Sequence, residues 1–262
     1  MNYIYSASSR KSLIWAKNIK KKSMNIAHLL LNRDGFREKK IFAVGFNKTG
    51  TTSLHVLFKS LGFSSFHGVK WRACDDLHLL LSHTCFSDGI PKDFTFLDKT
   101  FPNSKFILQV RELDTWIYSR LAHIEREKKQ NKQRTGPTWD MTEHSIKHWI
   151  KQRNAYHLAV LSHFNERPSD FTIVNFIRDE AAATKICNFL GYTGKYEKPM
   201  KNVNPQKMYP LKHTEMLKKC VAELEISEKE LSYDILCPSL IKNELRDVFP
   251  VDTQMVQVNS EV

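Results

Sequence analysis

The 262 residues include 40 Lys+Arg against 28 Asp+Glu, a formal net charge of +12, with 41% hydrophobic and 11% aromatic residues. Only 9 Gly and 9 Pro exclude a collagen-like or Pro/Gly-rich disordered chain, and no apolar run approaches the ~20 residues of a membrane-spanning helix. The length suffices for one large α/β domain or two small ones, either with a substantial core.

The positive charge is concentrated at the start. Residues 1–40 hold 10 Lys+Arg and 2 acids, a net +8, which leaves +4 for the other 222 residues. Residues 1–39 read as a basic N-terminal extension, with Lys17, Lys20, Lys21 and Lys22 close together. It is either a solvated arm or a peripheral contact with anionic membrane. It lacks the long apolar stretch of a secretory signal. Nucleic acid is not an expected partner, because the body has no concentrated basic stripe or RNA-binding aromatic motif.

From Lys40 onward, short β-rich runs alternate with amphipathic stretches. Ile41–Phe46 reads as a buried strand, and Thr51–Leu61 as a helix with apolar residues at 54, 57, 58 and 61, closed by Gly62. Ser64–His67 reads as a strand, Cys74–Ser82 as a helix and Thr84–Ser87 as a strand before Asp88-Gly89-Ile90-Pro91. Lys105–Val110 is a buried strand, and a helix runs from Thr115 with Asp114 as its cap. Charged residues 126–138, with Gly136-Pro137, read as a surface loop. A long helix over Met141–Phe164 follows, then a strand over Phe171–Ile177 and a helix over Glu180–Leu190 between Asp179 and Gly191. The last ~50 residues read as helical to about Val248, then as a polar tail over 251–262. The alternation predicts an α/β fold, a P-loop-type parallel sheet flanked by helices on both faces in three α/β/α layers, as one domain over residues 40–250.

The strand–helix junction Gly45-Phe46-Asn47-Lys48-Thr49-Gly50-Thr51-Thr52 has two glycines five apart, so backbone N–H groups can curl around a phosphate at the positive helix end. A Walker A loop places Lys directly after the second Gly. Here Thr51 holds that position and Lys48 lies inside the loop.

FNKTGTTSL resembles the 5′-phosphosulfate loop of sulfotransferases that use 3′-phosphoadenosine 5′-phosphosulfate (PAPS), with Asn47 where Pro is common. The resemblance implies that Asn47, Thr49, Gly50, Thr51, Thr52 and Ser53 line the cofactor's 5′ end. It also implies that Lys48 contacts the bridging oxygen, neutralising charge on the leaving phosphate. KFILQVRELDTWIYSRL resembles the family's 3′-phosphate segment, with Arg111 and, eight residues later, Ser119. The match extends over most of residues 40–205, and LGFSSFH, FPNSKFIL and IVNFIRDEAAATKICNFLGY are similar to a mostly microbial branch. Lys198–Asn204 resembles the late P-x-x-N loop of carbohydrate-type members, which implicates Asn202. Ser53 replaces the Trp that stacks on adenine in the cytosolic phenol- and steroid-sulfating enzymes, and their RKGxxGDW loop is absent. The implied co-substrate is PAPS, with no metal required, and the implied acceptor is a small alcohol, amine or glycan.

The base is left between two residues. Asp88 corresponds to the position where cytosolic relatives carry a His before Leu-Pro, and it is equally an ordinary turn residue before Gly. His67, at the end of the second strand, is the runner-up, although a lone His is more often a structural imidazole. Trp71, Trp139 and Trp149 offer flat surfaces to an acceptor or fill the core; Lys132, Arg134 and Lys147 offer charge to an anionic one. His144 and His148 lie at i,i+4 without a third ligand. Cysteines 74, 85, 187, 220 and 237 form no CxxC pair and are odd in number, which points to a reducing, cytoplasmic compartment. The Asn47-Lys48-Thr49 sequon agrees, because a glycan there would obstruct the loop. The competing readings are a P-loop kinase or hydrolase, and a nucleotide-binding protein without catalysis.

Overall fold

The computed structural model describes residues 38–130, 140–199 and 209–242. The basic extension before residue 38, the stretch with Lys132, Arg134 and Trp139, the loop residue Asn202 and the C-terminal tail lie outside the described residues. The described residues divide into two compact units, one drawn from Met1–Val110 and His163–Val203, the other from Arg111–Ser162 and Asn204–Val262.

The first unit is built on a five-stranded, wholly parallel sheet. Its strands are β1 (Ile41–Ala43), β2 (Ser65–His67), β3 (Cys85–Ser87), β4 (Lys105–Gln109) and β5 (Phe171–Val174), in the order β2-β3-β1-β4-β5. Central β1 is apolar at every position and fully inside, as expected where helices cover both faces. Alternation decides which side chain goes to which layer. Ile41, Ala43, Cys85, Ile107 and Val174 meet Leu54, Leu57 and Phe58 of α1 (Thr51–Ser60), together with Ala182, Ala183 and Ile186 of α6 (Ala182–Phe189). Phe42 points to the opposite layer, with ring centroids 5.4 Å from both Phe86 and Phe106, 5.8 Å from Phe101 and 6.3 Å from Trp71. That layer holds the 3-10 turn Val69–Ala73 and α3 (Phe94–Thr100), which buries Leu97. The fold is therefore a three-layer α/β/α arrangement around a parallel sheet.

Lys40 was counted with the basic start, yet it is fully buried. Its ammonium donates to Leu81 O at 3.2 Å and His83 O at 3.0 Å, closing the C-terminal end of α2 (Leu77–Ser82), where a cation complements the helix dipole.

The second unit is helical. It contains α4 (Leu113–Lys129), α5 (Glu143–His163, to Ser162 in this unit), α7 (Leu211–Glu223) and a 3-10 turn over Glu228–Ser232. Trp116 and Trp149 are its largest apolar core residues, and the Arg120 guanidinium lies 4.4 Å from the Trp149 ring centroid and 5.0 Å from that of Trp116.

Several boundaries differ from expectation. α2 starts at Leu77, because Cys74 adopts φ 57 and Asp76 caps the helix by accepting from Leu79 N. α4 starts at Leu113 with Glu112 at its cap, so Asp114 lies in the first turn instead of capping. The same helix runs to Lys129, through part of the expected loop. Glu127 stays buried there, and Arg126, Lys128 and Lys129 complement its C-terminal dipole. β5 ends at Val174, where Asn175 Oδ1 accepts from Arg178 N at 3.0 Å and turns the chain. The C-terminal helical stretch breaks after Glu223 into the short 3-10 turn.

Candidate functional site

Within the sheet unit, the loop after β1 is shaped by close approach to β4. A Cβ at Gly45 would lie 2.3 Å from Gln109 O and 2.5 Å from Gln109 Oε1, so only glycine fits. The Gly45 N–H donates to Gln109 Oε1 at 2.7 Å, and Thr49 Oγ1 donates to Phe46 O at 2.6 Å, which closes the loop on itself. Lys48 adopts φ 69 and Gly50 φ 91, a left-handed pair that turns the chain into α1. No side chain caps α1, and no acid stands in its first turn. Its positive end therefore faces the loop without a carboxylate to compete with an incoming anion. Asn47 and Lys48 are half-buried, whereas Thr49, Thr51 and Ser53 are buried.

The C-terminal ends of β2 and β3 add a polar cluster at the same sheet edge, where open α/β sheets bind ligands. The parallel register pairs His67 with Ser87. His67 Nδ1 is 3.0 Å from Ser87 Oγ, and its Nε2 is 3.3 Å from Thr52 Oγ1 in the first turn of α1. His55 stacks on His67 with centroids 5.3 Å apart, and His55 Nδ1 is 2.8 Å from Ser65 Oγ. Fully buried Ser87 also accepts at its carbonyl from Trp71 Nε1, 2.8 Å away. Asp88 follows β3 directly, at φ 103 and half-buried. Burial pulls the His67 pKa below its ordinary value of 6.5; the Asp88 carboxylate opposes this and the Lys48 ammonium adds to it. His67 is consequently neutral at pH 7. Lys48, Thr52, His67 and Asp88 thus come together in one unit.

Arg111 and Ser119 belong to the helical unit. Arg111 Nε donates to Thr115 Oγ1 at 3.0 Å, and the guanidinium donates to Tyr209 Oη. Burial draws its pKa down, while Tyr209, Glu112 and Asp114 push it back, and the group stays charged. Arg111, Thr115 and Ser119 follow at i, i+4 and i+8, one face of the chain entering α4. The Arg111 carbonyl accepts from buried Arg153 at 3.0 Å, and Arg153 also donates to the carbonyls of Tyr233 and Asp234. With Leu113 N donating to Tyr233 O at 3.1 Å, the backbone beneath Arg111 is tied down on both sides.

Other sequence candidates have structural places. Trp71 and Trp149 are core residues, Lys147 pairs with Glu223, and His144 and His148 are exposed on α5. No group of three or more His, Cys, Asp or Glu that could hold a metal ion occurs among the described residues, and no described helix is long and apolar enough to cross a membrane. The five cysteines are buried free thiols. Sequence reasoning missed Gln109, Ser87, Thr115 and Tyr209. Thr115 alone carried a local signal, midway between Arg111 and Ser119 at helical spacing; the others depend on contacts across strands or across ~100 residues of chain.

No family model and no curated protein sequence matches the chain. Among solved structures, the chain is similar to a sulfotransferase from Alicyclobacillus acidocaldarius, with 14% identity and a TM-score of 0.42 over 72% of this chain and 94% of that one. A likeness that distant leaves the question of function to the residues of the site.

Proposed function

We propose that the protein is a sulfotransferase that moves a sulfuryl group from PAPS to a hydroxyl or amine acceptor, such as a small alcohol or a carbohydrate, in the cytoplasm. One observation carries the reading: Lys48 stands inside a glycine-bounded, left-handed loop at an uncapped helix start, with Thr51 where a kinase-type loop has its lysine. In this reading the backbone of Asn47–Ser53 and the hydroxyl of Thr52 hold the 5′ end of the cofactor. Thr49 contributes its N–H, because its hydroxyl is committed to Phe46 O. Arg111 and Ser119 hold the 3′-phosphate, and Asn202 is the further cofactor-binding residue that the resemblance implies.

The acceptor oxygen attacks sulfur as the bond to the bridging oxygen breaks, and the electron pair of that bond passes to the 5′-phosphate. Lys48 neutralises this developing charge. The acceptor proton goes to a base. Asp88 and His67 both remain suited by position, and neutral His67 needs no further adjustment of its pKa to accept a proton at pH 7. With His67 as base, the Asp88 carboxylate stabilises the imidazolium that forms.

The test is transfer of radiolabelled sulfuryl from PAPS to a panel of alcohols, phenols, amines and glycans without added magnesium. Labelled product with release of 3′-phosphoadenosine 5′-phosphate is expected. Magnesium-dependent phosphoryl transfer from ATP would overturn the reading.

A further inference from the structure

The polar cluster at the ends of β2 and β3 is a continuous chain of hydrogen-bonding groups that ends at the loop. Ser87 is fully buried, with its carbonyl held by the Trp71 indole and its hydroxyl 3.0 Å from His67 Nδ1. The opposite ring nitrogen, His67 Nε2, is 3.3 Å from Thr52 Oγ1. His55 stacks on the ring, and its own Nδ1 is 2.8 Å from Ser65 Oγ. The half-buried imidazole of His67 is thus fixed at both nitrogens and on one face. Its two edge partners are hydroxyls, each able to donate one proton or to accept, so both can follow a change in the ring's protonation.

We propose that His67 and Ser87 are positioning residues that aim the Thr52 hydroxyl at an anion in the loop, and that this anion and a proton on His67 bind cooperatively. The proposal rests on the reading of the loop as the seat of the 5′-phosphosulfate and says what governs that seat. The Thr52 hydroxyl has a single proton. Given to an anion, it leaves Oγ1 as an acceptor, and the ring must then present Nε2–H. A neutral ring meets this by carrying its proton on Nε2 and accepting from Ser87 at Nδ1. The imidazolium meets it better, because it donates at both nitrogens and each bond is then charge-assisted. Of the charged groups that face His67 among the described residues, Lys48 in the loop opposes charge on the ring and Asp88 beyond β3 favours it. His55, on α1, is kept from competing for the proton by burial, by His67 and by Lys59. An anion that neutralises Lys48 removes the opposition and leaves Asp88. By reciprocity, a proton on His67 tightens the loop on its anion by the same factor as the anion tightens the ring on its proton.

The test uses adenosine 5′-phosphosulfate, which has no 3′-phosphate and no group that titrates near neutral pH. Its affinity for the full chain should fall about tenfold from about pH 5 to about pH 8. The loss follows the proton from His67, between its depressed pKa in the free chain and the raised one in the complex. NMR titration of the His67 imidazole with and without the probe should read that rise directly. Thr52→Ser keeps the hydroxyl and should keep the pH dependence, whereas Thr52→Val should lose most of it. Ser87→Ala removes the acceptor for Nδ1–H and should shrink the rise, while His55→Gln should leave it. Full pH dependence in Thr52→Val would mean that charge alone couples the two, and would overturn the relay; so would its disappearance in His55→Gln. A wild-type affinity that does not change with pH would overturn the linkage and leave the sulfotransferase reading standing. No binding of the probe at any pH would overturn the reading of the loop, and the relay with it.

Discussion

Gly45→Ala tests how the loop is held against the sheet. The added Cβ would lie 2.3 Å from Gln109 O, 2.5 Å from Gln109 Oε1 and 2.8 Å from Gln109 N. Two of these are backbone atoms of the strand end, so rotation of a side chain cannot relieve the contact. To restore ordinary separations, β1 and β4 must part by about 1 Å at this point. The movement stretches Val44 N to Ile107 O, now 2.9 Å, and Gly45 N to Gln109 Oε1, now 2.7 Å. Two weakened buried hydrogen bonds cost about 1 kcal/mol each and the overpacking a further ~1–3, for a total of about 3–5 kcal/mol. Gly50→Ala should cost less, about 1–2 kcal/mol for its left-handed φ, plus contacts at 3.2 and 3.3 Å that neighbouring side chains can yield. Gly62→Ala shares the positive φ of 85 and meets nothing within 4 Å, so it isolates the strain alone. Urea unfolding of the three variants should rank them Gly45, Gly50, Gly62 in decreasing loss. Equal losses at Gly45 and Gly62 would refute the close-approach argument.

Lys48→Ala should lower turnover while leaving affinity for 3′-phosphoadenosine 5′-phosphate mostly intact, because its target is charge that grows in the transition state; comparing kcat with bisphosphate affinity checks this. If His67 is the base, His67→Ala should cost about 10²–10⁴-fold in kcat, Asp88→Asn should cost less, and the acid limb of kcat/KM should fall below pH 6.5, because the His67 pKa is depressed. A larger loss from Asp88→Asn would assign the base to Asp88. Burial pushes the His157 imidazole down to about 3, and its Nδ1–H donates to Ile235 O at 2.6 Å. Between pH 6.5 and about 3 the unfolded chain binds a proton there that the folded chain does not. Stability is therefore lost as pH falls through that window, by about 2 kcal/mol at pH 5, and His157→Gln should remove that share of the pH dependence in urea melts.

The strands were legible because a parallel sheet covered on both faces needs unbroken apolar runs, and Ile41–Ala43 and residues 106–108 are such runs. Their ends were less so. Val110 restores an apolar residue after Gln109 and invites a longer strand, while β4 ends at Gln109. α3 escaped notice because its seven residues bury only Leu97, which leaves no periodicity to read. Its one signal was the Asp93 cap, which accepts from Phe96 N at 2.8 Å. The loop and Lys48 stood out as candidates from glycine spacing and His67 from its strand end, whereas Asp88 was singled out by the family resemblance. The Ser87–His67–Thr52 chain was not readable, since it joins three elements through contacts 15 and 20 residues apart. Tyr209 lies further away still, and its only sequence mark is being one aromatic among many.

The sulfotransferase reading is tested most directly by calorimetry with 3′-phosphoadenosine 5′-phosphate, 5′-AMP and ATP with magnesium. Clear preference for the bisphosphate over the monophosphate, reduced by Arg111→Ala, is the result the proposed sulfotransferase reading predicts. Equal affinity for the two, or tight binding of ATP that depends on magnesium, would contradict it.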